Sequence, residues 1–166
     1  MSARSSSPAT ADLALRAVLL GIAAGSRAAT PNAVLALRQP ASHARWTTWA
    51  PYRWPAGRAV MVAGMLGEFV GDKLPSTPSR LEPGSLAGRI ASGALAGAAI
   101  GSEAGRSGIV KGALLGGAGA VAGSVGGFWA RKTIVEKSGL PDLPVALVED
   151  CVAVGLAVAA TDHLAG

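Results

Sequence analysis

Glycine recurs at every fourth position through two neighbouring apolar stretches of the chain, and this spacing restricts how the chain can fold. The glycines fall into three series, Gly93 to Gly105, Gly108 to Gly116 and Gly119 to Gly127. Residues four positions apart share one face of an α-helix, so each series forms a groove that lets a second helix approach closely. In water each such glycine costs about 1 kcal/mol relative to alanine, whereas small residues are typical of helix contacts in a membrane. The spacing therefore predicts membrane helices packed through a glycine zipper.

The composition also favours a membrane location. Half of the 166 residues are hydrophobic and only 15% are charged, whereas soluble domains carry about 25% charged residues. Aromatic residues make up only 4% of the chain, so a soluble core of this size would lack the large side chains that supply much of its burial. We therefore expect a multi-pass protein of the cell (inner) membrane, with membrane lipid as a partner.

The basic residues are more numerous than the acidic ones, and a basic chain is also a candidate for nucleic-acid binding. The net charge is +5, but the basic residues are scattered between apolar runs, so no nucleic-acid partner is predicted. Arginines and prolines alternate with four aromatic residues between positions 38 and 58, namely Trp46, Trp49, Tyr52 and Trp54. This mixture predicts an interfacial loop at the level of lipid headgroups. Stacking on single-stranded nucleic acid is the alternative, and the flanking apolar segments weigh against it.

Apolar stretches separated by proline, glycine and charged residues predict an all-α integral membrane protein. We expect a small glycine-rich bundle of four or five transmembrane helices. Residues 1–10 are rich in serine and are expected to be a disordered N-terminal tail, so that residues 11–166 form a single polytopic domain. After the first apolar element, helices are expected at about 59–74, 86–105, 107–129 and 141–164. Ser85 is the expected N-cap of the helix at 86–105.

The first apolar element is predicted to be a broken helix. Its apolar run ends near Gly25, which is too short to span about 30 Å of hydrocarbon. The run resumes at Asn32 after the segment "GSRAATP". Thr30 is a suitable N-cap for a second helix and Pro31 suits its first position. This interpretation puts Arg27 at the discontinuity.

Two later helices carry acidic residues on faces made of small residues. Glu68 and Asp72 share a face with glycines, and Glu149 and Asp150 lie beside a row of alanines that begins at Ala146. A charge at the bilayer centre costs about 2.5–3.5 kcal/mol, so intramembrane acids are candidates for ion or proton pathways. If the two faces meet, they form an acidic binding site for an ion or substrate. Glu68 and Glu149 would be its principal groups, assisted by Asp72 and Asp150, with Arg27 as the counter-charge.

A purely structural interpretation of the same acids stays open. Asp72 and Lys73 lie where a helix is expected to end, and Glu149 and Asp150 lie early in the last helix. Acids near the first turn of a helix are stabilised by its dipole. In that case the acidic residues would stay at the membrane interfaces.

Residues typical of enzymes and metal centres are scarce. Cys151 is the sole cysteine and is expected to be a buried small hydrophobe, and the two histidines, His43 and His163, cannot form a cluster. The segment "GGAGAVAG" follows no predicted strand, and the sequence contains no Walker A, G-x-S-x-G or H-E-x-x-H motif. We therefore predict no cofactor, no metal site and no catalytic residue, and consider enzymatic activity the less favoured class.

The order of several short motifs resembles a known family. The motifs are "GSRAATPNAVLAL", "GEFVGDKLPSTPSR", "GRIASGALAGAAIG" and "LVEDCVAVGLA". Together they resemble the uncharacterised bacterial membrane family called domain of unknown function 4126, over nearly the whole chain after Ala11. The residues that carry the resemblance are Arg27, Thr30–Pro31, Glu68, Asp72–Lys73–Leu74–Pro75, Arg80 and Glu149–Asp150. The resemblance implies a small polytopic membrane protein and no established activity.

Two functions stay open at this point. The first is a transporter or channel for a cation or proton that uses the acidic site and the broken helix, since discontinuous helices are common in transporter binding sites. The second is a structural or lipid-interacting membrane protein assembled through glycine-zipper contacts, with the Trp/Arg loop on anionic headgroups. Because one chain supplies few helices, a homo-oligomer is expected in either case.

Overall fold

The computed structural model describes residues 8–38, 45–71, 81–139 and 141–162. Within these ranges the regular structure is entirely helical. The α-helices are α1 (Pro8–Ser26), α2 (Thr30–Arg38), α3 (Ala50–Arg53), α4 (Pro55–Gly71), α5 (Pro83–Gly101), α6 (Arg106–Ser138) and α7 (Asp142–Thr161). Short 3-10 helices cover Arg45–Thr48 and Ser102–Ala104.

Helix α6 is the centre of the molecule because both α1 and α5 pack along it. Helices α5 and α6 run antiparallel, and their glycines face each other in the pairs Gly93–Gly116, Gly97–Gly112 and Gly101–Gly108. A Cβ atom added at Gly97 would lie 2.1 Å from the carbonyl oxygen of Gly112. These glycine faces therefore meet within one chain, where their small size brings two backbones into contact.

The second face of α6 is also built from glycine, and it holds α1. A Cβ atom added at Gly123 would lie 2.4 Å from the carbonyl oxygen of Ile22, and one at Gly119 would lie 2.6 Å from that of Val18. Helix α7 packs on α1 and α2 through its buried alanines Ala153, Ala157 and Ala160. Helix α4 packs mainly on α2 and α3, at the edge of the bundle.

Several helix boundaries differ from the predicted ones. Helix α1 begins at Pro8, inside the segment expected to be a tail, and α4 begins at Pro55. The N-cap of α5 is Glu82, with no side-chain cap bond, so the prediction of Ser85 as N-cap is wrong. Helix α6 continues to Ser138 and ends at Gly139 in the left-handed conformation (φ 65°). The charged residues after Trp129 extend that helix because lysine, arginine and glutamate are good helix formers.

The aromatic segment is partly a core element. Trp46 and Tyr52 are fully buried, and their rings meet edge to face with centroids 5.0 Å apart. Trp54, in contrast, is exposed. The expectation of a loop with its rings at a lipid interface is therefore wrong for Trp46 and Tyr52, which belong to the same buried cluster as Leu35 and Ile100.

The outer surface of α6 and α7 is strongly apolar. Both helices are long and apolar enough to cross a membrane, and among the described helices they are the two that meet this criterion. Large hydrophobic side chains are exposed along them, including Val110, Leu114, Val148 and Val152. Cys151 is exposed on the same helix as Val148 and Val152, so the expectation of a buried cysteine is wrong.

Candidate functional site

The chain leaves the helical conformation between α1 and α2, at Arg27, Ala28 and Ala29. The carbonyl groups that this break exposes accept hydrogen bonds from side chains of other helices. Arg89 of α5 donates to the carbonyl oxygens of Gly25 (2.9 Å) and Ser26 (2.7 Å). Ser92 of α5 donates to the carbonyl of Ala28. Buried backbone groups need such partners, so hydrogen bonds from α5 stabilise the non-helical conformation of the break.

The amide groups of the break bind the side chain of Glu68. One carboxylate oxygen accepts a hydrogen bond from the Ala28 amide (2.9 Å) and the other from the Ala29 amide (2.7 Å). These two residues immediately precede α2, so Glu68, which belongs to α4, caps the entry to that helix from outside and not at the first-turn amides that a local N-cap binds. Thr30, the predicted cap, has a buried hydroxyl with no hydrogen-bond partner in the described part of the chain. A carboxylate is favoured here because the N-terminus of a helix is electropositive.

Arg27 and Asp150 form a buried ion pair at the break. Arg27 is 4% exposed and Asp150 6%. The Nε and Nη2 groups of Arg27 donate to Asp150 Oδ1, at 2.7 and 2.5 Å. The Nη1 group donates to the backbone carbonyl of Glu68 at 2.9 Å, and the guanidinium lies 4.7 Å from the centre of the Phe69 ring. Arg27 therefore joins the break to both α4 and α7.

The second oxygen of the Asp150 carboxylate is in a different situation. Asp150 Oδ2 is buried, and no donor in the described ranges reaches it. A buried carboxylate oxygen without a donor is unfavourable while it is ionised. Binding of a proton or of a small cation would relieve that cost.

Glu149 lies away from the break, in a groove of about 400 Å³ between α1, α6 and α7. Its Oε2 atom is 3.8 Å from Nη1 of Arg131. Arg131 donates from Nε to Asp142 Oδ1 at 2.8 Å, and its Nη2 group also bonds Asp142. Ser26 lines the same groove, so the groove reaches the residue before Arg27.

A second groove of about 320 Å³ lies on another side of the break. It is lined by Ala29 and Asn32 from the break and α2, by Gly64 of α4 and by Ser92 of α5. The Asn32 side chain donates to Ser92 Oγ (2.7 Å) and accepts from the Tyr52 hydroxyl (2.5 Å). One groove therefore adjoins the break at Ser26 and the other at Ala29.

The structure brings together three of the five predicted site residues. Arg27, Glu68 and Asp150 meet at the break, and Glu149 faces the groove instead. Asp72 lies outside the described residues. Asp150, which was expected to assist Glu149, is the acid that pairs with Arg27.

Sequence reasoning missed Arg89 and the Asn32–Ser92–Tyr52 network. Arg89 is 7% exposed and interrupts an apolar run of small residues, which is the signal that could have marked it. A buried arginine in such a run needs acceptors, and the carbonyl groups at the end of a broken helix supply them.

Two arginines and two carboxylates bond to the break and its neighbours. Arg27 pairs with Asp150, Arg89 donates to the carbonyls of Gly25 and Ser26, and the Glu68 carboxylate accepts from the amides of Ala28 and Ala29. Guanidinium groups stay protonated in proteins, so the carboxylates are the groups that can change charge. Glu68 is engaged by two amides, which leaves Asp150 as the acid with an oxygen available to an ion.

The chain matches no family model, and no curated protein and no solved structure is significantly similar to it. The resemblance to the family called domain of unknown function 4126 therefore stays a prediction.

Proposed function

We propose that this protein is a small integral membrane protein that moves a proton or small cation through the polar centre at the α1–α2 break. The observation that carries the proposal is the buried Arg27–Asp150 pair, in which Asp150 Oδ2 lacks a donor among the described residues. Ionisable residues inside a membrane are expensive and mark ion pathways and proton relays.

The membrane location is supported by the surface and by the break. Helices α6 and α7 are apolar enough to cross a bilayer and expose large hydrophobic side chains. The backbone groups of the break bond to Arg89, Ser92 and Glu68, as a setting without water requires. Irregular backbone at membrane depth is tolerated where it is buried in protein.

A proton is the simplest ion for this centre. The described residues contain no group of three metal-ligating side chains, whereas a proton needs a single carboxylate. Protonation at Asp150 Oδ2 would remove the negative charge that Arg27 binds and weaken charge-assisted hydrogen bonds. Because Arg27 lies at the non-helical residues between α1 and α2, the weakened pair would loosen the link between this break and α7.

The two grooves supply access on different sides of the centre. One includes Ser26 and Glu149, and the other includes Ala29 and Asn32. A site that is reached in turn from two sides is the requirement for alternating access, and discontinuous helices are common at such sites. Glu149 would then act at the entrance rather than at the centre.

The test is proton uptake by liposomes that contain the purified protein and a pH-sensitive dye. A potassium gradient with valinomycin supplies the driving voltage. We expect the wild type to take up protons and Asp150→Asn to fall to the rate of empty liposomes. Asp162→Asn is the matched control, because Asp162 is exposed and pairs with Arg38 at the surface.

Equal uptake by the wild type and by Asp150→Asn would contradict the proposed role of the centre. Arg27→Lys is a further test, since lysine keeps the positive charge but cannot donate to Asp150 from two nitrogen atoms. We expect this variant to conduct more slowly than the wild type and to respond at a different pH.

The alternative is a structural or lipid-interacting protein that assembles through glycine contacts. It is less well supported, because the glycine pairs Gly93–Gly116, Gly97–Gly112 and Gly101–Gly108 contact each other within the chain and are not available to a second copy. In that alternative, Asp150→Asn would leave vesicle permeability unchanged while oligomer size would depend on surface residues. A homo-oligomer remains part of the proposal, since a single chain offers few helices for a pore.

A further inference from the structure

Helices α1 and α2 both contact the C-terminal end of α7. Arg16, in the first half of α1, donates a hydrogen bond to the backbone carbonyl of Ala160 at 3.0 Å. Arg38, the last residue of α2, pairs with Asp162 at 2.9 Å. The first half of α1 and the end of α2 therefore lie on one side of the bundle, here called the near side, where α7 ends. The opposite side, where α7 begins, is called the far side.

The break between α1 and α2 lies well away from the near side. Arg27 pairs with Asp150, which precedes Asp162 by twelve residues of the chain. At a rise of about 1.5 Å per residue, this separation is about 18 Å along α7. The chain therefore runs inward along α1, turns at the break and runs back along α2.

The packing of α1 on α6 gives the same direction for α1. A Cβ atom added at Gly21 would lie 2.2 Å from the carbonyl oxygen of Gly116, and one added at Gly25 would lie 2.5 Å from that of Ala120. Residue numbers rise together along this contact, so α1 and α6 are parallel. Helix α6 therefore begins on the near side and runs to the far side.

The return of the chain along α2 is confirmed by α4, which is antiparallel to α2. Arg58, in the first turn of α4, donates to the carbonyl of Ala36 near the end of α2 at 3.2 Å. Glu68, near the end of α4, accepts from the amides of Ala28 and Ala29 just before α2. Helix α4 therefore begins on the near side, beside the end of α2, and runs towards the break.

The turn between α1 and α2 lies at half the length of α5. Ser92, whose hydroxyl donates to the carbonyl of Ala28, is the middle residue of α5, which covers Pro83–Gly101. Helix α5 has 19 residues and is about 28 Å long, close to the hydrocarbon thickness of about 30 Å. Helix α2 has nine residues and is about 14 Å long, so it covers about half of that thickness.

From these directions we infer that α1 and α2 form a re-entrant hairpin, which enters and leaves the membrane on the near side and turns at mid-depth. Helices α4, α5, α6 and α7 are then the four spanning helices. The irregular turn is buried in protein and bonded by Arg89 and Glu68, the condition under which such backbone is tolerated at membrane depth. The inference rests on the membrane location in the proposed function, but it does not depend on ion movement.

The hairpin differs from a broken helix that spans the membrane in where it leaves the following segment. A spanning element would put the start of α1 and the aromatic segment before α4 on opposite sides of the membrane. The hairpin puts both on the near side, together with the start of α6. The end of α6 lies on the far side, since Arg131 of α6 bonds Asp142 at the start of α7.

Cysteine labelling distinguishes the two arrangements. Cys151→Ser supplies a chain without cysteine, because Cys151 is the sole one. One exposed residue at a time is then changed, as Ala11→Cys, Ala50→Cys, Ser107→Cys or Ser138→Cys. A membrane-impermeant maleimide is applied to intact cells and to inverted membrane vesicles, so that each cysteine is assigned to a side. The two serine changes, near the start and at the end of α6, are the references for the near and far sides.

We expect Ala11→Cys, Ala50→Cys and Ser107→Cys to be modified from one side of the membrane and Ser138→Cys from the other. Modification of Ala11→Cys and Ala50→Cys from opposite sides would overturn the hairpin in favour of a broken spanning helix. If Ser107→Cys and Ser138→Cys are modified from the same side, α6 does not cross the membrane, and both the hairpin and the transport proposal fail. Because labelling needs no ion gradient, the expected pattern without proton uptake would retain the hairpin and remove the transport function.

Discussion

Gly97 and Gly112 lie face to face on α5 and α6, and a Cβ atom added to either would come within 2.1 Å of the carbonyl oxygen of the other. Such a separation is far below van der Waals contact, and the obstructing atom is backbone that cannot rotate away. The pair therefore fixes the distance between the two helices, and it makes the contact sensitive to a single methyl group.

Gly97→Ala should therefore destabilise the protein even though alanine is the better helix former. Overpacking costs about 1–3 kcal/mol, which exceeds the gain of about 1 kcal/mol from helix propensity. Gly88→Ala on the same helix is the control, because an added Cβ there meets no atom within 4 Å. Thermal unfolding in detergent should give a lower Tm for the first variant and an unchanged or higher Tm for the second. The opposite order would mean that α5 and α6 are not in backbone contact.

The buried Arg27–Asp150 pair should give a large coupling energy in a double-mutant cycle. Removal of one partner of a buried ion pair costs about 3–5 kcal/mol, because the other charge stays buried. We expect Arg27→Gln and Asp150→Asn each to be strongly destabilising and the double variant to be less so than their sum. Asp162→Asn, whose exposed pair with Arg38 is worth about 0–1 kcal/mol, serves as the surface reference. Additive effects of the two central changes would mean that they are not in contact.

The carboxylate of Glu68 should protect the amides of Ala28 and Ala29 from hydrogen exchange. Glutamine at this position has a single acceptor oxygen, so Glu68→Gln leaves one amide without its partner. A buried donor left without its acceptor costs about 1–3 kcal/mol, and we expect at least about fivefold faster exchange in a peptide that covers the break. Glu103→Gln is the control, because Glu103 accepts from the Arg45 amide and should affect exchange only near Arg45. Unchanged exchange at the break in Glu68→Gln would count against the cap.

Tyr52 should resist ionisation in the folded protein. Burial raises the pKa of its phenol above the usual value. In the unfolded chain the same phenol ionises near pH 10. The folded state therefore keeps a proton that the unfolded state loses, so the free energy of unfolding should fall as the pH rises above about 10. Tyr52 is the sole tyrosine, which makes its tyrosinate absorbance unambiguous. Absorbance that appears near pH 10 before unfolding would contradict the buried position.

Cys151 reports on the proposed membrane location. It is exposed on α7, a helix apolar enough to cross a bilayer. In native membranes a charged, water-soluble thiol reagent should fail to modify it, and the same reagent should react after the membrane is dissolved and the chain unfolded in detergent. Rapid modification in intact membranes would mean that this face of α7 meets water.

Sequence patterns were informative where local chemistry decides the outcome. The break near Arg27 follows from the "GSRAATP" segment, and the helical class follows from the apolar runs. The choice between Glu149 and Asp150 could not be made in this way. Neighbouring residues on a helix point about 100° apart, so the rotation of α7 about its own axis decides which acid meets Arg27. That rotation is set by Ala153, Ala157 and Ala160 against α1 and α2.

Contacts between residues far apart in the chain could not be predicted from sequence patterns either. Nothing near Thr30 indicates that its helix is capped by Glu68, or that Arg89 bonds the end of α1. Burial of Trp46 and Tyr52 was likewise missed, because aromatic and basic residues in a proline-containing segment are equally typical of membrane interfaces. In each case the partner lies on another helix, and only the tertiary packing identifies it.

The cap supplied by Glu68 has a consequence for biosynthesis. The carboxylate that binds the amides of Ala28 and Ala29 lies 40 and 39 residues further along the chain, and Arg89 and Asp150 emerge later still. While the ribosome is still translating the segment before Glu68, the carboxylate that binds these amides has not yet been made. The boundary between α1 and α2 is therefore completed after both helices have been made, and the final shape of the first quarter of the protein depends on the order in which its later helices arrive.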